Sequence, residues 1–241
     1  MIVYQEYPPI PALRPWLDCV WTCRVQTGAT PVTHQVLPDN CIDILCQDQQ
    51  DASFAVGMMT APIAVASLGL VQTVAARFKP GAAARFFQLP LCELSDGRTG
   101  LRQLWGRALA ARLGDALWSE PLSNAQRVSV LQDYLLLRLR TAPPRRQAGA
   151  AEHAIAAIER ASGQVRVDGL AAQLGVSRQH LALQFRQHVG ISPKLFARIC
   201  RFRAASQGLK RLAEQPDWAQ VALQYGYFDQ SHLIHDFQDF A

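Results

Sequence analysis

The chain has 241 residues, 49 % of them apolar, six cysteines and a formal net charge of +5. That length supports two domains with a core apiece. No run approaches the ~18 uncharged apolar residues of a membrane span, and the start MIVYQEYPPIPALRPW lacks the basic and apolar pattern of a secretory leader. The cysteines do not read as a secreted disulfide framework, so the expectation is a cytoplasmic protein with reduced thiols.

In chain order, the N-terminal half alternates short β-rich runs with Pro, Gly, Asn and Asp. Cys19 to Val25, Gln35 to Leu37, Cys41 to Cys46 and Val71 to Phe78 predict strands. From Gly81 the pattern turns helical, with helices predicted over Ala82 to Gln88, Leu101 to Leu113 and Leu122 to Arg140. The last has a stripe of Val128, Leu131, Leu135 and Leu139 widened by Val130, Tyr134 and Leu137. Such a helix either packs wholly into its own domain or forms a homodimer interface through residues 122–140. The stretch TAPPRRQAGA, residues 141–150, reads as a linker between a first domain, 1–140, and a second, 151–241.

Two similar segments occupy the second domain: LAAQLGVSRQHLALQF (Leu170 to Phe185) and VALQYGYFDQSHLIHDF (Val221 to Phe237), their glycines Gly175 and Gly226 lying 51 residues apart. Each reads as a short apolar helix, a tight turn and an amphipathic second helix, the form of a helix-turn-helix. In the first, Leu170, Leu174, Val176, Leu181 and Phe185 close a small core, Gly175 supplies a positive φ, and Ser177 caps the next helix. Arg178, Gln179, Ala182, Leu183, Arg186 and Gln187 are left on the outer face, where Arg and Gln suit the base edges of a major groove. Between the copies Pro193 to Leu212 predicts one helix, capped by Ser192. Its twenty residues span roughly 30 Å, close to the ~34 Å between successive major-groove openings.

Charge follows the same division. Residues 160–211 hold ten Lys or Arg against the single acid Asp168, whereas residues 212–241 hold five acids and neither Lys nor Arg. The first unit and the helix after it should supply the phosphate attraction and salt dependence, through Lys194, Arg198 and Arg201. The second unit must read through Gln230, Ser231 and His235.

Leu170, Ala171, Gly175, Ser177, His180, Leu181, Phe185, Gly190, Ser192-Pro193, Arg203-Ala204, Ala222, Gly226-Tyr227, Asp229-Gln230-Ser231-His232 and Phe237 together resemble the DNA-binding domain of the AraC family of transcriptional regulators. The resemblance implies a seven-helix, two-headed domain whose third and sixth helices enter adjacent major grooves of promoter DNA. It also implies RNA polymerase as a partner and a role as an activator. Three positions depart from the pattern. Leu183 stands where the family often has Arg, Phe228 stands where a Ser cap is usual, leaving Asp229 to cap, and the sequence stops at Ala241, which leaves the last helix liable to fray. In the first half, LPDNCIDIL (Leu37 to Leu45), VGMMTAP (Val56 to Pro62), RFKPGAAARFF (Arg77 to Phe87) and the Leu104-Trp105-Gly106 turn resemble a cupin-like sensor module of one AraC subgroup. This implies a sensing or dimerising role, with a small-molecule effector.

The competing chemistries are weaker. A metal-dependent cupin needs several imidazoles, and His34, read as a surface or loop residue, is the only histidine before His153. Cys19-x3-Cys23 and Cys41-x4-Cys46 are either buried apolar thiols or a zinc or redox sensor. Alternation puts Cys19 and Cys23 on one face but Cys41 and Cys46 on opposite faces, which favours the former. Arg98 and Arg102, one helical turn apart, match a clamp for cyclic dinucleotide phosphates, and Arg77, Lys79 and Arg85 offer a second anion site; solvated faces are the plainer reading. No phosphate loop, H-E-x-x-H or G-x-S-x-G occurs, and no cofactor, metal or catalytic role is expected. The reading is an α+β protein, a small β-sheet or partial barrel with helices followed by an all-α domain. It acts as a sequence-specific DNA-binding regulator, and the alternative is a noncatalytic sensor or adaptor with weakened DNA binding.

Overall fold

The computed structural model describes residues 1–49, 53–142, 149–210 and 217–241. Its strands are β1 (Ile2–Tyr7), β2 (Leu17–Gln26), β3 (Val32–Val36), β4 (Ile42–Gln47), β5 (Ser53–Val56), β6 (Ile63–Ser67), β7 (Leu70–Phe78) and β8 (Arg98–Gly100). They pair antiparallel as a six-stranded sheet, β1-β2-β7-β4-β5-β8, and a separate ribbon, β3-β6. One face of the large sheet is dry: Val20, Ile42, Ile44, Cys46, Val74, Ala76 and Phe78 are all buried. On β4 they alternate with half-buried residues, whereas on the central β7 Thr73 and Ala75, which face the other side, are buried as well.

Two helical expectations change in this half. Ala82 to Gln88 forms only a 3-10 turn, Ala82–Arg85. Phe86 and Phe87 both reach Phe78, with ring centroids 4.8 and 6.0 Å away. Consecutive residues on a helix diverge too far for that, and Pro90 disfavours helical geometry at Leu89. Leu101 to Leu113 is two helices, α1 (Leu101–Trp105) and α2 (Arg107–Trp118), separated by Gly106 at φ 85°, ψ 153°. That conformation belongs to glycine and ends a helix. The third helix, α3 (Asn124–Thr141), closes a capping box in which Ser123 and Gln126 satisfy each other's backbone N–H. Its Val128, Leu131 and Leu135 stripe is buried within the chain and Leu139 is partly buried beside it. Along 122–140, Val130 and Tyr134 are partly buried against the same cluster and Leu137 is exposed.

Residues 143–148 of the expected linker lie outside the described residues, as do Arg211 and Leu212 at the end of the expected long helix. After the linker come α4 (Gly149–Arg160), α5 (Val167–Gln173), α6 (Arg178–His188), α7 (Pro193–Leu209), α8 (Trp218–Gln224) and α9 (Gln230–Phe240). These are six helices among the described residues, with α6 and α9 third and sixth.

The expectation of one core per domain is corrected. A single apolar cluster runs from Leu13 and Phe78 through Leu131 and Ile155 to Leu181, Phe196 and Phe202. It joins the β-sheet half to the first helix-turn-helix. Only Val221, Ala222, Tyr227 and Leu233 of the second unit, with Ala205 of α7, form a separate cluster. Polar contacts reinforce the junction. Asn40, held at φ 62°, donates from Nδ2 to the Phe196 carbonyl at 3.0 Å and to Cys200 Sγ at 3.2 Å. Arg203 donates to the Asp39 carbonyl at 2.6 Å and Ser95 Oγ to the Gly190 carbonyl at 2.8 Å.

Candidate nucleic-acid interface

Both turns are built as their residues require. Gly175 has φ 66° and Gly226 φ 74°, values at which any Cβ is strained. Ser177 accepts from the His180 N–H at 3.1 Å, opening α6, and Ser192 accepts from the Leu195 N–H at 3.2 Å beside Pro193, opening α7. Asp229 accepts from the His232 N–H at 2.8 Å. It supplies the cap of α9 that Phe228 cannot, and Phe228 itself is left 86 % exposed.

Leu181 and Phe185 are the buried side of α6. Ser177, Arg178, Gln179, Leu183 and Arg186 are exposed, with Ala182 and Gln187 half-buried. Arg178 reaches Asp168 on α5 at 3.1 Å, with both side chains more than half exposed. Water and salt screen such a pair to a small free energy, so it yields readily to a phosphate or a base. On α9, Gln230, Ser231 and His235 are exposed while Leu233, Asp236 and Phe240 are buried. A cleft of about 910 Å³ separates the two heads, lined by Arg178 from α6, Lys194, Arg198 and Arg201 from α7, and Ser231 and His235 from α9. Both recognition helices therefore border one opening.

Three cations expected at phosphates behave differently from one another. Lys194 is exposed. Arg198 instead holds Asp236 and Asp239, each with an N–O distance of 2.6 Å. Arg201 donates to the Gly226 carbonyl at 3.1 Å and lies 3.8 Å from Asp236. The acids of the second head thus neutralise two of the cations of α7, Arg198 and Arg201. In the sequence reading Asp236 is only one of the five acids of residues 212–241 and has no role, although the spacing Leu233, Asp236, Phe237, Phe240 places it on the buried stripe of an α-helix. The expected frayed end of α9 meets an anchor, because Phe240 is buried with its ring 5.4 Å from Phe202.

The anion sites expected in the first half are not assembled. Arg98 lies on β8 with its guanidinium 5.2 Å over the Phe54 ring, and Arg102 lies on α1. The premise that one helical face presents both is overturned by the strand that precedes Gly100. Arg77 pairs with Asp43 at 3.2 Å and Asp39 at 3.6 Å, Lys79 donates to the Arg14 carbonyl, and Arg85 donates to the carbonyls of Leu139 and Ala142. The three cations end on separate partners.

Each of the six cysteines is a free thiol. Register pairs Cys19 with Arg77 and Cys23 with Thr73, but Cys46 with Val74. Neighbouring β7 residues face opposite sides of the sheet, so Cys46 is separated from the other two. Cys41 precedes β4 and points its Sγ at the Asp39 carbonyl, 3.6 Å away. Burial pushes the thiols of Cys19 and Cys46 up to about 12 and that of Cys200 to about 11, far from the thiolate that metal binding or oxidation needs. Among the described residues no three His, Cys, Asp or Glu side chains group as metal ligands. His34 is not on a loop: it lies on β3, half-buried, with Nδ1 out of solvent. No described helix is long and apolar enough to cross a membrane.

Residues 170–241 match the family model of a helix-turn-helix domain, and residues 5–99 match that of a domain of unknown function (DUF6597). No curated protein matches the chain. Among solved structures, ToxT from Vibrio cholerae aligns over 99 % of this chain and 94 % of its own, at 10 % identity and a TM-score of 0.44. A ToxT structure with bound unsaturated fatty acid aligns over 87 % and 90 %, at 10 % identity and a TM-score of 0.41. Likeness at that level is too remote to add to the two family models. With two capped, glycine-turned helix pairs bordering one cleft, the chain carries a helix-turn-helix domain over residues 170–241, behind a domain of unknown function over residues 5–99.

Proposed function

We propose that this protein is a sequence-specific DNA-binding transcriptional regulator of the cytoplasm, with α6 and α9 reading adjacent major grooves. The observation that carries the reading is the common cleft bordered by both recognition helices, with Arg178, Gln179 and Arg186 exposed on the first. Base contacts fall to Ser177, Arg178, Gln179, Ala182, Leu183, Arg186 and Gln187 on the first head and to Gln230, Ser231 and His235 on the second. Phosphate contact falls first to Lys194. The N-terminal half, bonded to α7 and the turn before it through Asn40, Arg203 and Ser95, would pass on an effector's binding or self-association. A homodimer through 122–140 would bury Val130, Tyr134 and Leu137, and RNA polymerase is the partner through which an activator would work.

Selecting bound fragments from a genomic DNA pool tests the reading. A recurrent motif with two half-sites is expected, and Arg178→Ala should weaken binding to it about tenfold or more and flatten the salt dependence. Unchanged affinity and salt dependence would remove Arg178 from the interface. The second reading, a sensor or adaptor with weakened DNA binding, draws on the internally neutralised Arg198 and Arg201. A mobility shift with competitor DNA at physiological salt separates the two.

A further inference from the structure

The recognition helix of the second head carries a carboxylate, Asp236, with no solvent exposure. A buried carboxylate is tolerated only when paired and hydrogen-bonded. Here both partners come from α7. Arg198 donates to Oδ1 from Nε at 2.9 Å and from Nη2 at 2.6 Å, and Arg201 Nη2 lies 3.8 Å from Oδ2. Rings hold each guanidinium from a second side, Phe240 at 4.9 Å from Arg198 and Tyr227 at 4.7 Å from Arg201. Arg201 also grips the Gly226 carbonyl of the turn. Two carboxylates of α9, the buried Asp236 and the more exposed Asp239 at 2.6 Å from Arg198 Nη2, therefore tie the helix between the heads to the second recognition helix, Asp236 being the one that meets both arginines, while Arg201 ties α7 to the second turn.

An apolar side chain at this place would serve packing at least as well, because a buried ion pair is weak evidence for stability. What charge and a two-donor fork add is a fixed direction. The second head needs one: only Phe240 joins the large cluster that immobilises the first head, and the rest of its packing is a five-residue cluster that borrows Ala205 from α7. We propose that Asp236 is a positioning residue, locking α9 to α7 through Arg198 and Arg201 so that the two heads accept one separation of their half-sites along the duplex. This rests on the DNA-binding reading above and adds to it the source of spacing selectivity.

The test uses the whole chain and the fragment it selects from genomic DNA, remade with one or two base pairs inserted or removed between the half-sites. Each base pair rotates and shifts the far site by about a tenth of a helical turn. The unaltered protein should bind one spacing at least tenfold better than its neighbours. Asp236→Ala should lower affinity at that spacing and reduce the discrimination to a few-fold, with Asp236→Glu recovering part of it. Asp236→Asn, which keeps the side-chain size, gives the same reading if the alanine variant does not fold. A loss equal at every spacing would make Asp236 merely structural and overturn the proposal, as would no change at all. A wild-type protein that binds the fragment but ignores spacing sinks this proposal alone. Failure to select any fragment sinks the DNA-binding reading with it.

Discussion

Asp43 on β4 lies 3.2 Å from the Arg77 guanidinium, yet its carboxyl is raised to about 6. Burial favours the neutral acid by more than Arg77 and its hydrogen bonds favour the anion. The sign of the pH effect follows. In the unfolded chain the group ionises in the ordinary range near 4, so between about pH 4 and 6 the folded protein retains a proton that the unfolded one releases. Its contribution to stability is complete below that window and gone above it. Denaturant unfolding from pH 5 to 7.5 should show this as a loss of about 1 kcal/mol that Asp43→Asn lacks. Identical pH profiles for the two proteins would show that the carboxyl titrates as it does in water. The residue itself was in view from the outset within LPDNCIDIL. Its titration was not, because the burial that causes it depends on β7, more than twenty-five residues further on.

The helix caps were the most legible elements, since a cap and its N–H partner lie within three residues of each other. Ser177, Ser192 and Asp229 all cap where the sequence places them. Asp229→Ala should cost about 1 kcal/mol and loosen the first turn of α9, where Gln230 and Ser231 sit. Faster amide hydrogen exchange at His232 and weaker binding at the second half-site are the expected readouts, and protection equal to the wild type's would show that the cap contributes nothing. Elements set by distant packing were less legible. Four strands, β1, β5, β6 and β8, were not anticipated, being short or edge-lying with few buried residues. A continuous helix was expected across Gly106 because the apolar spacing on either side stays in phase, whereas the backbone there is one that only glycine adopts readily.

At the scale of the molecule, the division into a sheet half and a helix-turn-helix half is a division of sequence more than of packing. Composition marked the change at residues 141–150, but not that Ile155, Leu181 and Phe196 would share one core with Phe78 and Leu131. The same holds for the site. Exposure of Arg178, Gln179 and Arg186 follows from local periodicity, while the capture of Arg198 by Asp236, 38 residues away, does not. The shared core predicts that the sheet half and the first head unfold together. Asn40→Gly keeps the backbone at φ 62° accessible while removing the side-chain bonds to Phe196 and Cys200. It should lower the stability of that unit by about 1–2 kcal/mol without splitting its transition. Two separated transitions in urea, by fluorescence and by circular dichroism, would show the junction to be superficial.

That junction also limits how such a chain can be recombined. A hybrid joined within residues 141–150, grafting these helices onto a foreign sensor, would uncover greasy patches on the first reading head and orphan the carbonyl that Asn40 meets. The sheet and that head must therefore drift through mutation as a matched pair. The second head, held mainly by α7 and its arginines, is the portion that can change its outer face without disturbing the sheet.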